Sequence, residues 1–295
     1  MNIEPTELDL PASFLRDARL TITDQEFWKL RHFIHEHTGI ALADHKRALV
    51  CARLAKRLRH LNLANYAEYY DLLMGRDPEG HELAEMINAI TTNKTDFFRE
   101  SHHFKFLTDH VFPALRASRQ RRIRIWSAGS ATGEEAYTIA MTVCESFQTI
   151  TEWDIKILAS DIDTNVLDFA ARGVYSLESL QRVPEELRSR YFSKGSGTNQ
   201  GFARIKLMLQ AMIRFRRLNL IDGAWPMKGP FDVIFCRNVL IYFDKSLQRK
   251  LLTRFAEMLR PDGYLMLGHA EAIHGFEPIY RAVGHSIYQR RADIS

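Results

Sequence analysis

Apolar positions recur with two different periods, and the period changes near residue 120. Before that point the spacing is helical. Thr23 and Glu26 form a T-x-x-E capping box, Phe27, Leu30, Phe33 and Ile34 follow at helical intervals, and Gly39 stands where a glycine stops a helix. A second helix is expected from about Asp44 to Leu61, with Val50, Leu54, Leu58 and Leu61 on one stripe. Two more follow, roughly Asn65 to Met74 and Pro78 to Ile90, the latter turning Leu83, Met86, Ile87 and Ile90 inward. Residues 1 to about 20, with Pro5 and Pro11 and no sustained period, read as a loosely held lead-in. The polar and aromatic stretch TTNKTDFFRES, Thr91 to Ser101, reads as a hinge carrying function, or else as a capped turn with Phe97 or Phe98 as a plug; a helix from about Ser101 to Ala117 follows.

From Arg122 the pattern is that of strands alternating with helices. RIRIWSAGSATGEEAYTIA is an apolar strand, a small-residue turn and a helix start, with Gly129 and Gly133 placed so that backbone can approach a ligand. IKILASDID is a second strand ending in Asp161 and Asp163, followed by a helix from about Asn165 to Arg172. FDVIFCRN is a third strand, and a helix from about Lys245 to Arg260 leads through Pro261, Asp262 and Gly263 into YLMLGHAE. IYRAVGHSIYQRR closes the chain as an antiparallel pair about Gly284. The alternation predicts an α/β fold whose parallel sheet holds a nucleotide-sized cofactor at its carboxyl edge. Between Tyr175 and Asn219 the alternation fails: FARIKLMLQAMIRFRRLN, preceded by the loop GSGTNQG, reads as two β-rich runs in a small antiparallel excursion, or else as a strand pair that only props up the sheet edge, which the residues by themselves favour. The expected division is an all-helical domain over 1–95 and an α/β domain over 96–295, with the β-subdomain inserted at about 175–218.

Composition adds limits. Hydrophobic content of 46% and charged content of 26% suit a soluble globular chain, and no apolar run approaches the ~20 residues of a membrane span. Cys51, Cys144 and Cys236 lack CxxC spacing and lie in apolar segments, so they read as buried thiols in a reducing cytoplasm, and no metal site is expected. The first residues lack the basic and apolar regions of a secretory signal.

Net charge is only +4, yet the basic residues are concentrated. On the second helix Lys46, Arg53, Arg57 and His60 form one stripe with Lys56 and Arg59 beside it, and no Asp or Glu occurs from Lys46 to His60. Either this is a solvated outer face or it meets an acidic partner; the missing i,i+4 acids favour a partner.

The strand-turn-helix at Arg122 admits several ligands. No Lys follows Gly133 to hold phosphates, which excludes a Walker A loop. The turn is G-x-x-x-G, without the second glycine of a dinucleotide fingerprint, and Asp161 lies beyond the ~20 residues expected there. Glu134 and Glu135 repel a pyrophosphate but tolerate the ammonium and sulfonium of S-adenosylmethionine. A nucleic-acid methyltransferase is an alternative, weakened because no prolines follow Asn238 and because a net charge of +4 is low for phosphate binding. A non-catalytic sensor or scaffold that binds the cofactor is a third reading.

The chain resembles the chemotaxis receptor glutamate methyltransferases, the CheR family, from ALADHKR through INAITTNKTDFFRE, RIWSAGSATGEEAYTIA, ASDIDTNVL, FCRNVLIYFDK and PDGYLMLGHAE. The resemblance implies a Rossmann-like S-adenosylmethionine-dependent sheet, an inserted antiparallel β-subdomain and an N-terminal helical bundle. It implies that Asn93, Thr95, Arg99, Glu135, Asp161, Asn219, Leu220, Arg237 and Asn238 line the cofactor pocket, with Asp161 on the ribose, Glu135 near the methionine end and Asn219 with Leu220 beside the adenine; by spacing alone Asn219 reads as a turn residue after a strand. The implied reaction gives a glutamate methyl ester and S-adenosylhomocysteine, with Arg99 and Tyr242 expected to orient the reacting groups; the alternative for Tyr242 is a packed aromatic. Lys46, Arg53, Lys56, Arg57 and Arg59 are then expected to meet the acidic methylation helices of chemoreceptors. The β-subdomain resembles one that in some members takes up a receptor's C-terminal pentapeptide as an extra strand. No nucleic acid partner and no membrane insertion are implied.

Overall fold

The computed structural model describes residues 21–118, 120–147, 149–273 and 275–292. The expected lead-in over 1 to about 20 lies outside the described residues. Contacts divide the chain after Ile90: one unit ends there, and the other comprises Thr91 onward together with Thr38–Ile40. The connector Thr91 to Ser101 therefore lies wholly within the second unit.

The first unit is helical: α1 (Asp24–Thr38), α2 (Arg47–His60), α3 (Tyr66–Gly75) and α4 (His81–Ile90). Thr23 Oγ1 accepts from the Glu26 N–H, and Glu26 Oε2 accepts from the Thr23 N–H at 2.8 Å, completing the capping box. Asn65 caps α3 by accepting from the Glu68 N–H. The buried stripe of α1 is Phe27, Leu30, Phe33 and Ile34, and the buried side chains of this unit also include Val50, Leu54 and Leu58 of α2 and Met86 and Ile87 of α4.

The second unit opens with α5 (His102–Phe106), a π turn (Leu107–Val111) and α6 (Phe112–Ala117), with Pro113 in the first turn of α6. There follow β1 (Arg122–Ala128), α7 (Glu134–Ser146), β2 (Asp154–Asp161), α8 (Thr164–Arg172), β3 (Val174–Ser176), α9 (Glu185–Tyr191), β4 (Phe192–Lys194), β5 (Phe202–Ile205), α10 (Leu207–Gln210) and β6 (Ile213–Arg217). The chain ends with β7 (Phe231–Cys236), α11 (Lys245–Met258), β8 (Leu259–Leu267), β9 (Tyr280–Gly284) and β10 (Ile287–Arg290).

Seven strands form one sheet in the order β6-β2-β1-β7-β8-β10-β9, and three form a second in the order β3-β5-β4. β6, β2, β1, β7 and β8 run parallel, while β10 is antiparallel to both β8 and β9. The central strand β7 is buried at every position and β1 is buried from Ile125 onward, as a parallel sheet covered by helices requires.

Two expectations about local pairing change. Of the two β-rich runs in FARIKLMLQAMIRFRRLN, only Phe202–Ile205 joins the small antiparallel sheet; Ile213–Arg217 pairs parallel with β2 as the edge of the large one. The turn at Pro261-Asp262-Gly263 lies inside β8, where the pairing with β7 jumps from Phe231↔Leu259 to Val233↔Tyr264. Of the cysteines, Cys236 is buried and Cys51 and Cys144 are half-buried, all as free thiols. Among the described residues, no helix is long and apolar enough to cross a membrane.

Candidate cofactor and active site

The five parallel strands end at one edge, and strand order reverses between β1 and β7, because β2 and β6 lie on one side and β8 on the other. Such a reversal leaves a crevice at the carboxyl ends of the strands. Asp161 is the last residue of β2, Asn219 and Leu220 lie just past β6, and Arg237 and Asn238 just past β7. The topology alone brings these separated residues to a common edge.

The turn after β1 is built from positive-φ positions, Gly129 at 80° and Gly133 at 95°. A Cβ at Gly129 would lie 2.3 Å from Val239 Cγ2, and one at Gly133 2.7 Å from Ala170 Cβ. Both glycines admit close protein packing, from the segment after β7 and from α8. The Gly129 and Ser130 N–H groups donate to Ser160 O, and the Ala131 N–H donates to Asp161 Oδ2 at 2.9 Å. Ser130 Oγ is buried there without a hydrogen-bond partner.

Burial raises the carboxyl groups of Glu134, Glu135 and Asp161 above the usual carboxylate range. Asp161 Oδ1 also accepts from the Asp163 N–H. Each of its oxygens retains a further lone pair for a ligand hydroxyl. Glu135 is less available: Oε1 accepts from Ser127 Oγ at 2.7 Å, and Oε2 accepts from Arg237 Nη1 at 3.1 Å. Arg237 Nη2 also donates to Arg99 O and lies 3.3 Å from Glu100 Oε2. Glu135 thus acts first on Arg237, which in turn holds the connector.

That connector is tied along the same edge. Thr91 Oγ1 and Asn93 Nδ2 donate to Asp163 Oδ2 at 2.8 and 2.6 Å, the Phe98 N–H donates to Thr138 Oγ1, and Arg99 Nη1 donates to Lys94 O. Thr95 is half-buried within it. Phe97 is fully buried with its ring edge-on to Tyr175 and Phe192, whereas Phe98 packs edge-on to Phe104. Asp163, which the sequence reading left without a role, also caps α8 by accepting from the Asn165 and Val166 N–H groups.

A second unassigned acid is Glu271. Its carboxylate accepts from the N–H groups of Asn238, Ile241 and Gly268, which fixes Asn238 in a left-handed conformation at φ 59° and positions the short helical turn Leu240–Tyr242. Tyr242 is half-buried on that turn. Asn219 Oδ1 accepts from the Ile221 N–H, so this residue also shapes its own turn, and Leu220 is buried beside it. The motif GHAE contained Glu271, but nothing in its spacing marks a carboxylate that collects backbone donors.

In the helical unit the basic helix is not uniformly available. Arg57 binds Glu82 through Nε at 3.0 Å and Glu85 through Nη1 at 3.1 Å, and Tyr69 Oη donates to Glu82 as well. Arg53 Nη1 donates to Ile90 O. Lys56 and Arg59 are exposed, and Lys46 is half-buried. The acids that appeared to be missing come from α4, a different helix.

The model of the CheR methyltransferase S-adenosylmethionine-binding domain matches residues 93–288, and that of the CheR all-alpha domain matches 25–91. The chain belongs to the CheR methyltransferase family. It is 43% identical over 278 residues to chemotaxis protein methyltransferase 2 of Pseudomonas aeruginosa, covering 94% of this chain and 97% of that one. It is 41% identical to the chemotaxis protein methyltransferase of Escherichia coli K12, covering 93% and 94%. This CheR chain is accordingly an S-adenosylmethionine-dependent methyltransferase with the all-helical and cofactor-binding domains in the family order. The carboxyl edge fits that cofactor: its buried acids exceed its buried bases, and Ser130 Oγ and Asp161 retain hydrogen-bonding capacity.

Proposed function

We propose that this chain methylates glutamate side chains of chemoreceptors, forming methyl esters, in the manner implied by its relatives' designation as chemotaxis protein methyltransferases. The observation that carries the site assignment is the acid-rich edge at the β1/β7 reversal, crossed by a connector tied at Asp163 and Arg237. Asp161 takes the ribose hydroxyls, Asn219 and Leu220 flank the adenine, and Asn93, Thr95, Arg99, Arg237 and Asn238 line the remainder, with Glu135 acting through Arg237. S-adenosylmethionine, when bound, supplies an electrophilic methyl group on a cationic sulfur.

The protein's part is positional. A glutamate carboxylate, with an ordinary pKa of about 4.3, is already an anion at neutral pH, so no general base is required. Holding it in line with the methyl carbon and away from water can contribute roughly 7 to 11 kcal/mol. Arg99 and Tyr242 orient the acceptor: the guanidinium forks onto a carboxylate, and Tyr242 is held at the end of β7 by the Glu271 anchor.

Receptor recognition is assigned to the basic residues of the stretch 46–59, Lys46, Arg53, Lys56, Arg57 and Arg59, which face an acidic receptor surface; Lys56 and Arg59 are exposed, and Arg57 also binds Glu82. Lys56→Ala with Arg59→Ala is expected to reduce methylation of receptor-containing membranes about tenfold at low salt, with S-adenosylmethionine affinity unchanged in calorimetry. An equal loss of cofactor affinity would overturn that division of labour. The small sheet has edge strands Val174–Ser176 and Phe192–Lys194, to which a receptor's C-terminal pentapeptide could add as a further strand; titration with a peptide of the NWETF type should saturate, and absence of heat would exclude this tether.

A further inference from the structure

Three imidazoles that sequence spacing does not connect converge on the surface of the α/β unit. His102 is the first residue of α5, His269 lies just past β8, and His285 lies in the turn between β9 and β10. One nitrogen from each lies within 4.8 Å of the others. His269 Nδ1 and His285 Nδ1 are 3.1 Å apart, and the planes of their rings are perpendicular.

We infer that His102, His269 and His285 form a binding site for one divalent transition-metal ion of the zinc class, separate from the methyl-transfer residues. The chemistry of the donors points to this class, since neutral imidazole is a ligand of zinc, copper and nickel, and calcium and magnesium prefer oxygen. Two zinc-bound nitrogens at about 2.0 to 2.1 Å from the ion stand roughly 3.3 Å apart in tetrahedral geometry. The His269–His285 separation of 3.1 Å already matches that spacing.

The two Nδ1 atoms are also within hydrogen-bond distance, and a bound metal would replace that contact with two nitrogen–metal bonds. The third ring lies nearly parallel to that of His269 at 5.3 Å and donates from Nε2 to His285 O. His102 is half-buried, and His269 and His285 are exposed, so a water molecule can complete a fourth position. Bound metal would join the start of α5, the segment after β8 and the terminal hairpin. It would do so next to Glu100, whose Oε1 accepts from the His269 N–H at 3.4 Å.

The test is titration of the untagged, metal-stripped full chain with zinc chloride alone, followed by calorimetry. One equivalent should bind saturably, and His269→Ala and His285→Ala should each weaken binding about tenfold or more. His81→Ala, which removes an exposed histidine paired with Glu79, should leave it unchanged. With Cu2+ as the probe, electron paramagnetic resonance of the unmodified chain should show coupling to several imidazole nitrogens, a readout that does not depend on the variants folding. No saturable binding, or undiminished binding in the folded His269→Ala/His285→Ala double variant, would overturn the assignment; the latter result would mean an adventitious ion only.

Discussion

Asp161→Ala is expected to weaken S-adenosylmethionine binding about a hundredfold or more. Hydrogen bonds to a charged group contribute roughly 1.5 to 3 kcal/mol each, and every 1.4 kcal/mol is about tenfold in affinity. The substitution removes the carboxylate assigned to two ribose hydroxyls and also releases the Ala131 and Asp163 N–H groups. Asp161→Asn keeps one carbonyl acceptor and should fall between the two. Affinity in the unaltered protein should decline as pH falls from neutrality, because burial raises Asp161, Glu134 and Glu135 so that they take up protons at a higher pH than ordinary carboxylates. Protonation removes the negative charge that favours a cationic ligand. The decline should be smaller for S-adenosylhomocysteine, whose sulfur is neutral. Calorimetry at several pH values measures both; less than a threefold loss in Asp161→Ala would remove the ribose assignment.

Arg237→Ala is expected to lower the stability of the α/β unit by about 3 to 5 kcal/mol, the usual result of removing one partner from a buried ion pair. The Arg237 side chain is 3% exposed and lies between Glu135 at 3.1 Å and Glu100 at 3.3 Å, with its other donor on Arg99 O. Without it, two buried carboxylates remain near each other. Burial already raises Glu135, and losing its cationic neighbour raises it further. A carboxyl group with a raised folded-state pKa loses stability as pH climbs from the unfolded value through the folded one. The deficit of Arg237→Ala should therefore be larger at pH 8 than at pH 5 in urea unfolding. A deficit under about 1 kcal/mol, or one independent of pH, would contradict the network's role.

How much of this was legible in the sequence depended on whether the signal was local. The capping box at Thr23 and Glu26 is complete within four residues, and the helix follows it as expected. Strands were easier to find than to pair: the closing antiparallel pair about Gly284 follows from its turn, whereas longer-range pairing does not. Alternation in Ile213–Arg217 marks a strand without saying which neighbour it takes, and its partner is β2 rather than the adjacent run Phe202–Ile205. Charge behaved likewise: α2 has no acid of its own, yet Arg57 finds Glu82 and Glu85 on α4. Turn glycines were visible as glycines, but their neighbours, Val239 and Ala170, were not. Asp163 and Glu271 hold the site through backbone donors contributed by several segments, and no motif spacing encodes that. The histidines at 102, 269 and 285 meet only because α5, β8 and the terminal hairpin end near one another. Resemblance to a family supplied what spacing could not, the identity of the cofactor and the class of acceptor.

The central claim is that the acceptor is a carboxylate on a chemoreceptor. The direct measurement is transfer of a labelled methyl group from S-adenosylmethionine to chemoreceptor-containing membranes, followed by exposure of the product to mild alkali. Label should enter the receptor band and be released by alkali as methanol, as a carboxyl methyl ester requires. Label that resists alkali, or that enters nucleic acid and not the receptor, would contradict it.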